Sequence, residues 1–337
     1  MKTAGRWVVT ADLQFDEHAS LSTLTPSGVT SRLKDMIDCW HWIMATAIKR
    51  NCEGIIVIGD IFDSRTVIDL SVLDQVCRGF HAAHEKGLRL IIVAGNHDSY
   101  LRSPKMNSLQ VFKGYAQVVE VTHVEDGMGF VAWTEDITAL RSGIDTVLKG
   151  GAKYLFTHVL LRGAVTGGDK GVPVDALRPE KFEQVFLGDV HDPREITENV
   201  RYVGSPLQIN YGDAGGWRGI VVFDRKSGEI ETVENTVSPK FHVIEDATVE
   251  GVKSNDFVRV KTDDPEIAAE AEAAAKVKTG WVESTFVEKP DIKPRLDVRT
   301  SHAHEVVLAR YCTHQGIEEV DSLVKVGMEI IEEAKHG

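Results

Sequence analysis

Two stretches of the chain decide the fold: residues 54–63, GIIVIGDIFD, and residues 88–98, LRLIIVAGNHD. Each is a short apolar run that reaches a glycine and then continues into acidic or amide residues. Continuous rather than alternating apolar runs are typical of strands that are buried on both faces. Apolar residues also recur at i, i+3, i+4 and i+7 from Leu33 to Ile48 and over residues 68–86, which indicates helices. The sequence therefore predicts an α/β fold in which helices cover the sheets.

Further strands and helices are predicted along the rest of the chain. The expected strands are Arg6–Ala11, Ala116–Val121, Gly129–Trp133, Tyr154–Thr157, Gln184–Leu187, Arg201–Val203 and Gly219–Phe223, with a helix near Asp136–Lys149. After about Ser238 the pattern changes to a small β-α-β unit. Its expected elements are a strand at Asp256–Thr262, a helix at Pro265–Val277 and a strand at Trp281–Glu288.

The chain ends in a helical pattern. Lys289–Thr300 contains two prolines and many charges, so it is interpreted as a linker that leads to a helix at Ile317–Ala334. We therefore expect a main α/β domain over residues 1–237, a small α/β cap with its linker over 238–300, and a helical tail over 301–337.

Composition narrows the classes of function. The 337 residues suggest roughly two domains, and 42% hydrophobic with 26% charged residues excludes disordered, collagen-like and coiled-coil chains. No apolar run approaches the ~20 residues that span a bilayer, and Met1–Gly5 lacks the pattern of a signal peptide. The four cysteines form no CxxC pair, which suits a reducing cytoplasm and excludes a zinc site built from cysteines. The net charge of −13 argues against a nucleic-acid binder that works by charge alone, although bound metal ions can still meet phosphate.

Five polar clusters each follow an apolar strand directly. They are Asp12-Leu13-Gln14, Gly59-Asp60-Ile61-Phe62-Asp63, Gly95-Asn96-His97-Asp98, Thr157-His158 and Gly188-Asp189-Val190-His191. Because the carboxyl ends of strands collect the active groups of α/β folds, we expect these clusters to converge. Carboxylates, imidazoles and an amide are ligands for divalent ions of intermediate to hard character. Any one cluster alone is typical of a turn or of a structural histidine, but five in succession predict a metal site.

The order D-x-(H), GD-x-x-D, GNHD, H and G-x-x-H resembles the calcineurin-like metallophosphoesterase superfamily. The likeness is greater to the nuclease subunits of SbcCD-type DNA repair complexes and to their T-even-phage recombination counterparts. Two later features strengthen the resemblance to these nuclease subunits: residues 202–208, YVGSPLQ, and the following strand at residues 219–224. The resemblance covers the whole chain, strongly to about Asp224 and in outline beyond. It implies a β-sandwich flanked by helices (αββα), with a small α/β cap domain, a helical C-terminal tail, and a cytoplasmic location, in the host if the chain is phage-encoded.

The resemblance also implies a site with two divalent metal ions. The implied ligands are Asp12, Gln14, Asp60, Asn96, His158, Asp189 and His191. Asp60 would bridge both ions, the first being held by Asp12, Gln14 and His191 and the second by Asn96, His158 and Asp189. Two such ions ~3.5–4 Å apart would clamp a phosphodiester and lower the pKa of a bound water.

Three further residues are assigned to catalysis by the resemblance. His97 would stand beside the metal ions as a general acid or as a donor to the scissile phosphate, with Asp98 orienting it, and Asp63 is the third residue assigned to catalysis. A purely supporting role for His97 remains an alternative.

Two positions depart from the family pattern. Gln14 stands where the histidine of D-x-H is expected, and Asp189 stands where the first histidine of G-H-x-H is expected. The ligand set thereby loses two imidazoles and gains a carboxylate, and oxygen-rich sets favour Mn²⁺, with Mg²⁺ as the second choice. Glutamine is a weak neutral ligand, so the first ion would be held more loosely. His18 would either reach in to compensate or be a solvated loop histidine.

DNA and protein partners are implied as well. Basic residues of the cap and linker either track a DNA backbone or form a solvated surface; those assigned to DNA are Arg259, Lys261, Lys293 and Arg295. The resemblance implies an SbcC-like ABC ATPase whose coiled coil docks on the tail, although the tail helix could instead fold back on its own domain. It also implies a homodimer through the helices at Leu33–Arg50 and Ile68–Lys86, where Trp40 and Trp42 widen an apolar face.

The sequence thus predicts a metal-dependent exonuclease or endonuclease subunit that hydrolyses phosphodiester bonds during DNA end processing, recombination or repair. A stand-alone phosphodiesterase or phosphatase is an alternative, which the cap and tail oppose. A catalytically weakened assembly scaffold is another, which Gln14 and Asp189 favour and His97 opposes.

Overall fold

The computed structural model of the chain describes residues 5–100, 106–165, 170–286, 303–317 and 319–336. Up to residue 234 the strands are β1 (Arg6–Thr10), β2 (Gly54–Ile58), β3 (Arg89–Val93), β4 (Gln117–Val119), β5 (Thr122–Glu125), β6 (Met128–Val131), β7 (Tyr154–His158), β8 (Gln184–Gly188), β9 (Arg194–Thr197), β10 (Val200–Tyr202), β11 (Gly219–Asp224) and β12 (Ile230–Glu234). The helices of this part are α1 (Ser31–Lys49), α2 (Leu70–Glu85) and α3 (Ile137–Lys149). Every strand and helix predicted for this part is present, with bounds that differ by no more than two residues.

The twelve strands form two six-stranded sheets that pack face to face. The first has the order β12-β11-β1-β2-β3-β4, in which β1 to β4 run parallel and β11 is antiparallel to β1. The second has the order β5-β6-β7-β8-β10-β9, in which β6, β7, β8 and β10 run parallel. The inner faces meet in an apolar core that includes Trp7, Ile56, Phe156 and Phe223. Helices α1 and α2 cover the first sheet and α3 covers the second, so the predicted αββα sandwich is confirmed.

Four strands were not predicted: β5, β9, β12 and β13 (Phe241–Ile244). Each lies at the edge of its sheet. All four mix polar with apolar residues and are only partly buried along their length. An edge strand needs no continuous apolar run, and therefore its pattern resembles that of a surface loop.

The helices on the first sheet account for the tryptophan pair of α1. Trp40 is fully buried and stacks on Phe80 of α2, with ring centroids 4.1 Å apart and ring planes within 3° of parallel. Trp42 packs against the same core. Packing within the chain therefore explains the apolar width that motivated a homodimer, and the homodimer stays a prediction.

A three-stranded sheet follows, with the order β13-β14-β15, where β14 is Phe257–Thr262 and β15 is Trp281–Phe286. Helix α4 (Pro265–Lys278) connects β14 to β15, as predicted for the β-α-β unit. Arg32 of α1 is fully buried against the rings of Phe241 and Phe257, with its guanidinium carbon 5.2 Å and 5.5 Å from their centroids. This cation–π contact holds the small sheet against α1.

The chain divides into two compact units, Met1–Thr262 with Glu266–Thr285 and Asp263–Pro265 with Phe286–Gly337. The three predicted domain ranges stay a prediction. The predicted linker, including Lys293 and Arg295, lies outside the described residues.

The described residues of the tail form two helices rather than the single one expected, α5 (His304–His314) and α6 (Val320–His336). They pack on each other, and a Cβ added to Gly327 would come within 2.9 Å of the Leu308 side chain. Cys312 and Val324 are buried. The expectation of a lone helix was wrong because α5 carries only a weak apolar stripe, and α6 buries part of its own stripe against α5. No helix in the described ranges is long and apolar enough to cross a membrane.

Candidate metal centre

The parallel strands bring their following residues to one edge of the sandwich. Asp12 follows β1, Asp60 follows β2, and His158 is the last residue of β7. All three are buried, and each offers a ligand atom within 4.8 Å of the others. This group is the centre of the predicted metal site.

Asp189 and Asn96 join the same cluster. The Asp189 backbone N–H donates to both carboxylate oxygens of Asp12 at 3.2 Å, and Asp189 Oδ1 lies 3.4 Å from His158 Nε2. The Asn96 amide satisfies both of its ends when its nitrogen donates to Asp189 Oδ1 at 3.0 Å and Asp60 Oδ2 at 3.2 Å. Five of the seven predicted ligands therefore touch one another.

His158 is oriented as a metal ligand requires. Its Nδ1 lies 2.8 Å from the carbonyl oxygen of Ile58. Because a carbonyl oxygen only accepts, Nδ1 carries a proton, and Nε2 is the nitrogen that faces the cluster, where its lone pair would serve a bound metal ion. Nε2 lies 3.5 Å from Asp60 Oδ1.

The remaining two predicted ligands lie at the border of the cluster. Gln14 is buried, and its backbone N–H donates to the Asp60 carbonyl at 2.9 Å. His191 is half-buried, with Nδ1 3.7 Å from Asp213 Oδ1. Burial acts to lower the pKa of His191, but Asp213 and the charge of Asp12 outweigh it and raise that pKa. Asp213 thus sits where it can orient the ring, a role that the sequence did not reveal.

Four of the predicted ligands have strained backbones. Asp12, Gln14, Asp60 and Asp189 all have positive φ, at 51°, 43°, 55° and 93°. Non-glycine residues rarely adopt this left-handed region, and the conformation persists only where surrounding structure enforces it. Strain concentrated at these positions marks a functional site independently of the sequence motifs.

Three motif glycines make room for the cluster. A Cβ on Gly59 would lie 2.3 Å from His158 Nδ1, one on Gly95 would lie 2.2 Å from Asp60 Oδ1, and one on Gly188 would lie 2.3 Å from the Ile58 carbonyl oxygen. Only Gly59 of the three also has positive φ, at 76°. The glycines are therefore required mainly for close approach, and a backbone conformation that favours glycine adds to this at Gly59 alone of the three.

Asp98 organises the loops of the site. Its buried carboxylate accepts from the backbone N–H groups of Gly95 at 2.8 Å, Asp60 at 2.9 Å and Ile61 at 3.1 Å. These bonds tie the loop after β3 to the loop after β2. Burial, with the charge of Asp60 added, raises the pKa of Asp98 to about 6 against these hydrogen bonds.

His97 is held by a different residue from the one expected. Its Nδ1 contacts the Asp63 carbonyl oxygen, and its backbone N–H donates to Asp60 Oδ1 at 2.8 Å. The main chain of Asp63 thus orients the ring, while Asp98 positions the loop that carries His97. The catalytic roles of His97, Asp98 and Asp63 stay predictions.

The buried carboxylates of the cluster would be stabilised by cations. Burial, with Asp60 and Asp189 adding to it, raises the pKa of Asp12 to about 7. Burial acts to lower the pKa of His158, but the charge of Asp60 and a hydrogen bond with Asp189 raise it well above its usual range. Divalent ions would stabilise these carboxylates as anions. The donor set, the close approach of the motif glycines and the charge all fit bound divalent metal.

Two other groups of predicted residues lie away from the cluster. His18 is half-buried near Arg32, Asp16 and Asp63, and burial followed by the Arg32 charge lowers its pKa, so it is not a solvated loop histidine. Arg259 lies 4.0 Å from the ring centroid of Tyr211 and is paired with Glu283. Lys261 is exposed.

Fold, strand-end site and ligand chemistry together resemble those of metallophosphoesterases. No protein-family model matches the chain. Similar proteins of known name indicate a narrower class for the chain. The SbcD subunit of the nuclease SbcCD from Escherichia coli strain K12 is 24% identical over 253 residues, covering 59% of this chain and 61% of that protein. The chain is SbcD-like.

Two further relatives agree. The SbcD subunit of the nuclease SbcCD from Bacillus subtilis strain 168 is 24% identical over 251 residues, covering 60% of this chain and 63% of that protein. "Exonuclease subunit 1" of Enterobacteria phage T4 is 26% identical over 194 residues, covering 53% and 55%. The chain thus aligns with between 55% and 63% of the length of these relatives. Their names agree with the predicted class, a metal-dependent hydrolase.

Solved structures are similar in part. A dimetal phosphatase from Danio rerio is 12% identical and covers 69% of this chain and 99% of that one, at a TM-score of 0.42. The Pseudomonas putida nuclease MPE is 14% identical and covers 67% and 87%, at a TM-score of 0.33. At these TM-scores the likeness carries no weight, and the assignment rests on the topology, the site and the sequence relatives.

Proposed function

We propose that this chain is a metal-dependent nuclease that hydrolyses phosphodiester bonds in DNA through two divalent ions. The observation that carries the proposal is the buried cluster of Asp12, Asp60 and His158 at the strand ends of a chain similar to nuclease subunits. The names of those relatives, a nuclease subunit and an exonuclease subunit, support a nucleic acid as the substrate and exonuclease cleavage as the activity. DNA end processing in repair or recombination is the corresponding process.

The proposed ligands fall into two groups around Asp60. Asp12, Gln14 and His191 would hold one ion and Asn96, His158 and Asp189 the other. The ions would supply an activated water and charge stabilisation at the scissile phosphate. Because carboxylate and amide oxygens predominate, we propose Mn²⁺ as the preferred ion and Mg²⁺ as the second.

His97 would donate a proton to the leaving group. Its Nδ1 carries a proton toward the Asp63 carbonyl oxygen, so the neutral ring can only accept at Nε2. Only the imidazolium form can donate from Nε2 to the leaving oxygen. We therefore propose that the charged form of His97 is the general acid.

The decisive assay uses linear DNA and a small bis-phosphodiester as substrates, with Mn²⁺, with Mg²⁺ and with EDTA. We expect metal-dependent cleavage of DNA, and a loss of ~100-fold or more in His97→Ala. The exposed histidine of α2, in His81→Ala, is the matched control and should cut normally. Cleavage of the small ester without cleavage of DNA would favour a stand-alone phosphodiesterase, and metal binding without any cleavage would favour a scaffold.

We also propose that the tail binds an SbcC-like ABC ATPase. The support is the exposed apolar surface of α6, where Leu323, Val326 and Ile330 are 45%, 48% and 60% exposed although α5 covers the helix in part. A coiled-coil base is the kind of surface that an amphipathic helix pair can bind. Pull-down of the ATPase by the wild-type chain but not by Leu323→Asp with Ile330→Asp would support this, and equal pull-down would contradict it.

A homodimer and a cytoplasmic location complete the proposal. The four cysteines are free, which suits a reducing compartment. Light scattering at micromolar concentration tests the dimer, and a monomeric mass would remove it.

A further inference from the structure

Arg65 makes a contact that the metal site does not explain. It lies in the loop between β2 and α2, two residues after Asp63, and its side chain is half-buried. Its Nη2 lies 2.5 Å from the outer end of the Asn96 amide, and we assign the oxygen to that end because this orientation satisfies both ends of the amide. The Asn96 nitrogen meanwhile faces Asp60, Asp189 and His158. A cation outside the predicted ligand set therefore occupies the oxygen of a predicted ligand.

The same oxygen cannot serve Arg65 and a metal ion together. An amide binds a metal ion through its oxygen, because its NH₂ group has no lone pair to offer. For Asn96 to act as a ligand, the amide must turn its oxygen toward Asp60 and His158. That turn points the NH₂ group at the guanidinium, where a donor meets a donor. Metal binding at Asn96 therefore breaks the bond to Arg65.

We propose that Arg65 binds the phosphate of the substrate, and that Asn96 holds its guanidinium until a metal ion takes the amide oxygen. The inference rests on the proposed function. A guanidinium presents a planar fork of donors that matches phosphate oxygens, and the loop already places it beside the cluster. In a chain of net charge −13, a cation at this place would also help to attract an anionic substrate.

The first test measures metal binding without DNA. Mn²⁺ is titrated by calorimetry into the wild-type chain, Arg65→Gln and Arg65→Lys. Because Arg65→Gln removes the competing charged partner of Asn96, Mn²⁺ should bind about tenfold more tightly. Arg78 lies on α2, exposed and paired with Asp74, so Arg78→Gln is the matched control and should bind as wild type does. Equal affinity in Arg65→Gln and wild type would overturn the exchange at Asn96.

The second test measures cleavage of DNA at saturating Mn²⁺. The KM for DNA should rise about tenfold in Arg65→Gln, with a smaller change in kcat, because a charge-assisted contact to phosphate is lost. Arg65→Lys keeps the positive charge but lacks the planar fork of donors. Its KM for DNA should lie between those of the wild type and Arg65→Gln. An unchanged KM in Arg65→Gln would overturn the phosphate-binding role while the nuclease itself stands. A wild-type chain that never cuts DNA would instead overturn the proposed function and this role with it, whereas the metal titration would still decide the exchange.

Discussion

Without metal, the carboxylate of Asp12 should destabilise the folded chain at neutral pH. Asp12 is fully buried, and burial followed by the charges of its acidic neighbours raises its pKa from 3.8 to about 7. The folded state thus binds this proton more tightly than the unfolded state does. The resulting stabilisation is fully present below about pH 4 and is lost as pH rises through about 7. At ~1.4 kcal/mol per pKa unit, the loss amounts to roughly 4 kcal/mol.

Asp12→Asn isolates this contribution, because an amide does not titrate and keeps nearly the same shape. Urea unfolding followed by tryptophan fluorescence, in EDTA, gives the free energy of unfolding of both chains from pH 4 to 7.5. As pH rises, the free energy of unfolding of the variant should increase relative to that of the wild type, by up to roughly 4 kcal/mol. Mn²⁺ should then restore stability to the wild type and much less to the variant.

The exposed carboxylate of α2, in Asp74→Asn, is the control, and its difference from wild type should stay flat over the same range. Other groups that titrate in this range cancel in the comparison between variant and wild type. Parallel pH profiles for Asp12→Asn and wild type would refute the reasoning. So would a variant that loses stability relative to wild type as pH rises.

Four further outcomes are expected. Asp60→Ala removes the ligand shared by both ions and should abolish Mn²⁺-dependent cleavage; full activity would contradict a two-ion site. Gln14→His should tighten Mn²⁺ binding because imidazole is a stronger ligand than a neutral amide, and an unchanged titration would place Gln14 outside the ligand set. Gly95→Ala would put a Cβ 2.2 Å from Asp60 Oδ1, so Mn²⁺ affinity should fall about tenfold or more by calorimetry, whereas Gly114→Ala meets nothing within 4 Å and should be neutral. Removal of residues 301–337 should leave a folded chain that still cuts DNA ends but no longer binds the ATPase; unfolding, seen by circular dichroism, would assign the tail to the core.

The sequence predicts the sandwich well because its central strands are continuous apolar runs. Parallel strands end at the same edge of a sheet, and so the residues after β1, β2 and β3 could be expected together. The sequence did not predict four edge strands, because they are half-exposed and polar. It did not predict α5, because the apolar stripe of that helix is weak. Both failures arise where burial is partial and the sequence pattern is correspondingly faint.

The site was harder to predict than the fold, because its geometry depends on loops. Nothing in the sequence distinguishes Asp213 from other loop carboxylates until the chain after residue 204 brings it to His191. Arg65 depends equally on the path of its loop and on the orientation of the Asn96 amide. The sequence shows the glycines, but their main function, close packing against His158 and Asp60, appears only in three dimensions.

The energetics of the cluster bear on whether the chain is an enzyme or only a scaffold. Asp12, Asp60 and Asp189 hold left-handed backbones that cost about 1–3 kcal/mol each. They also include Asp12, a buried carboxylate whose raised pKa opposes folding at neutral pH unless a cation is present. A scaffold needs neither the strained backbone nor the buried carboxylate, since apolar side chains could fill the same space with less strain. Bound metal would offset both the backbone strain and the unfavourable buried charge. Because Gln14 and Asp189 replace imidazoles and not carboxylates, the site still requires cations. The structure therefore favours a metal-loaded catalytic subunit over a chain that serves assembly alone.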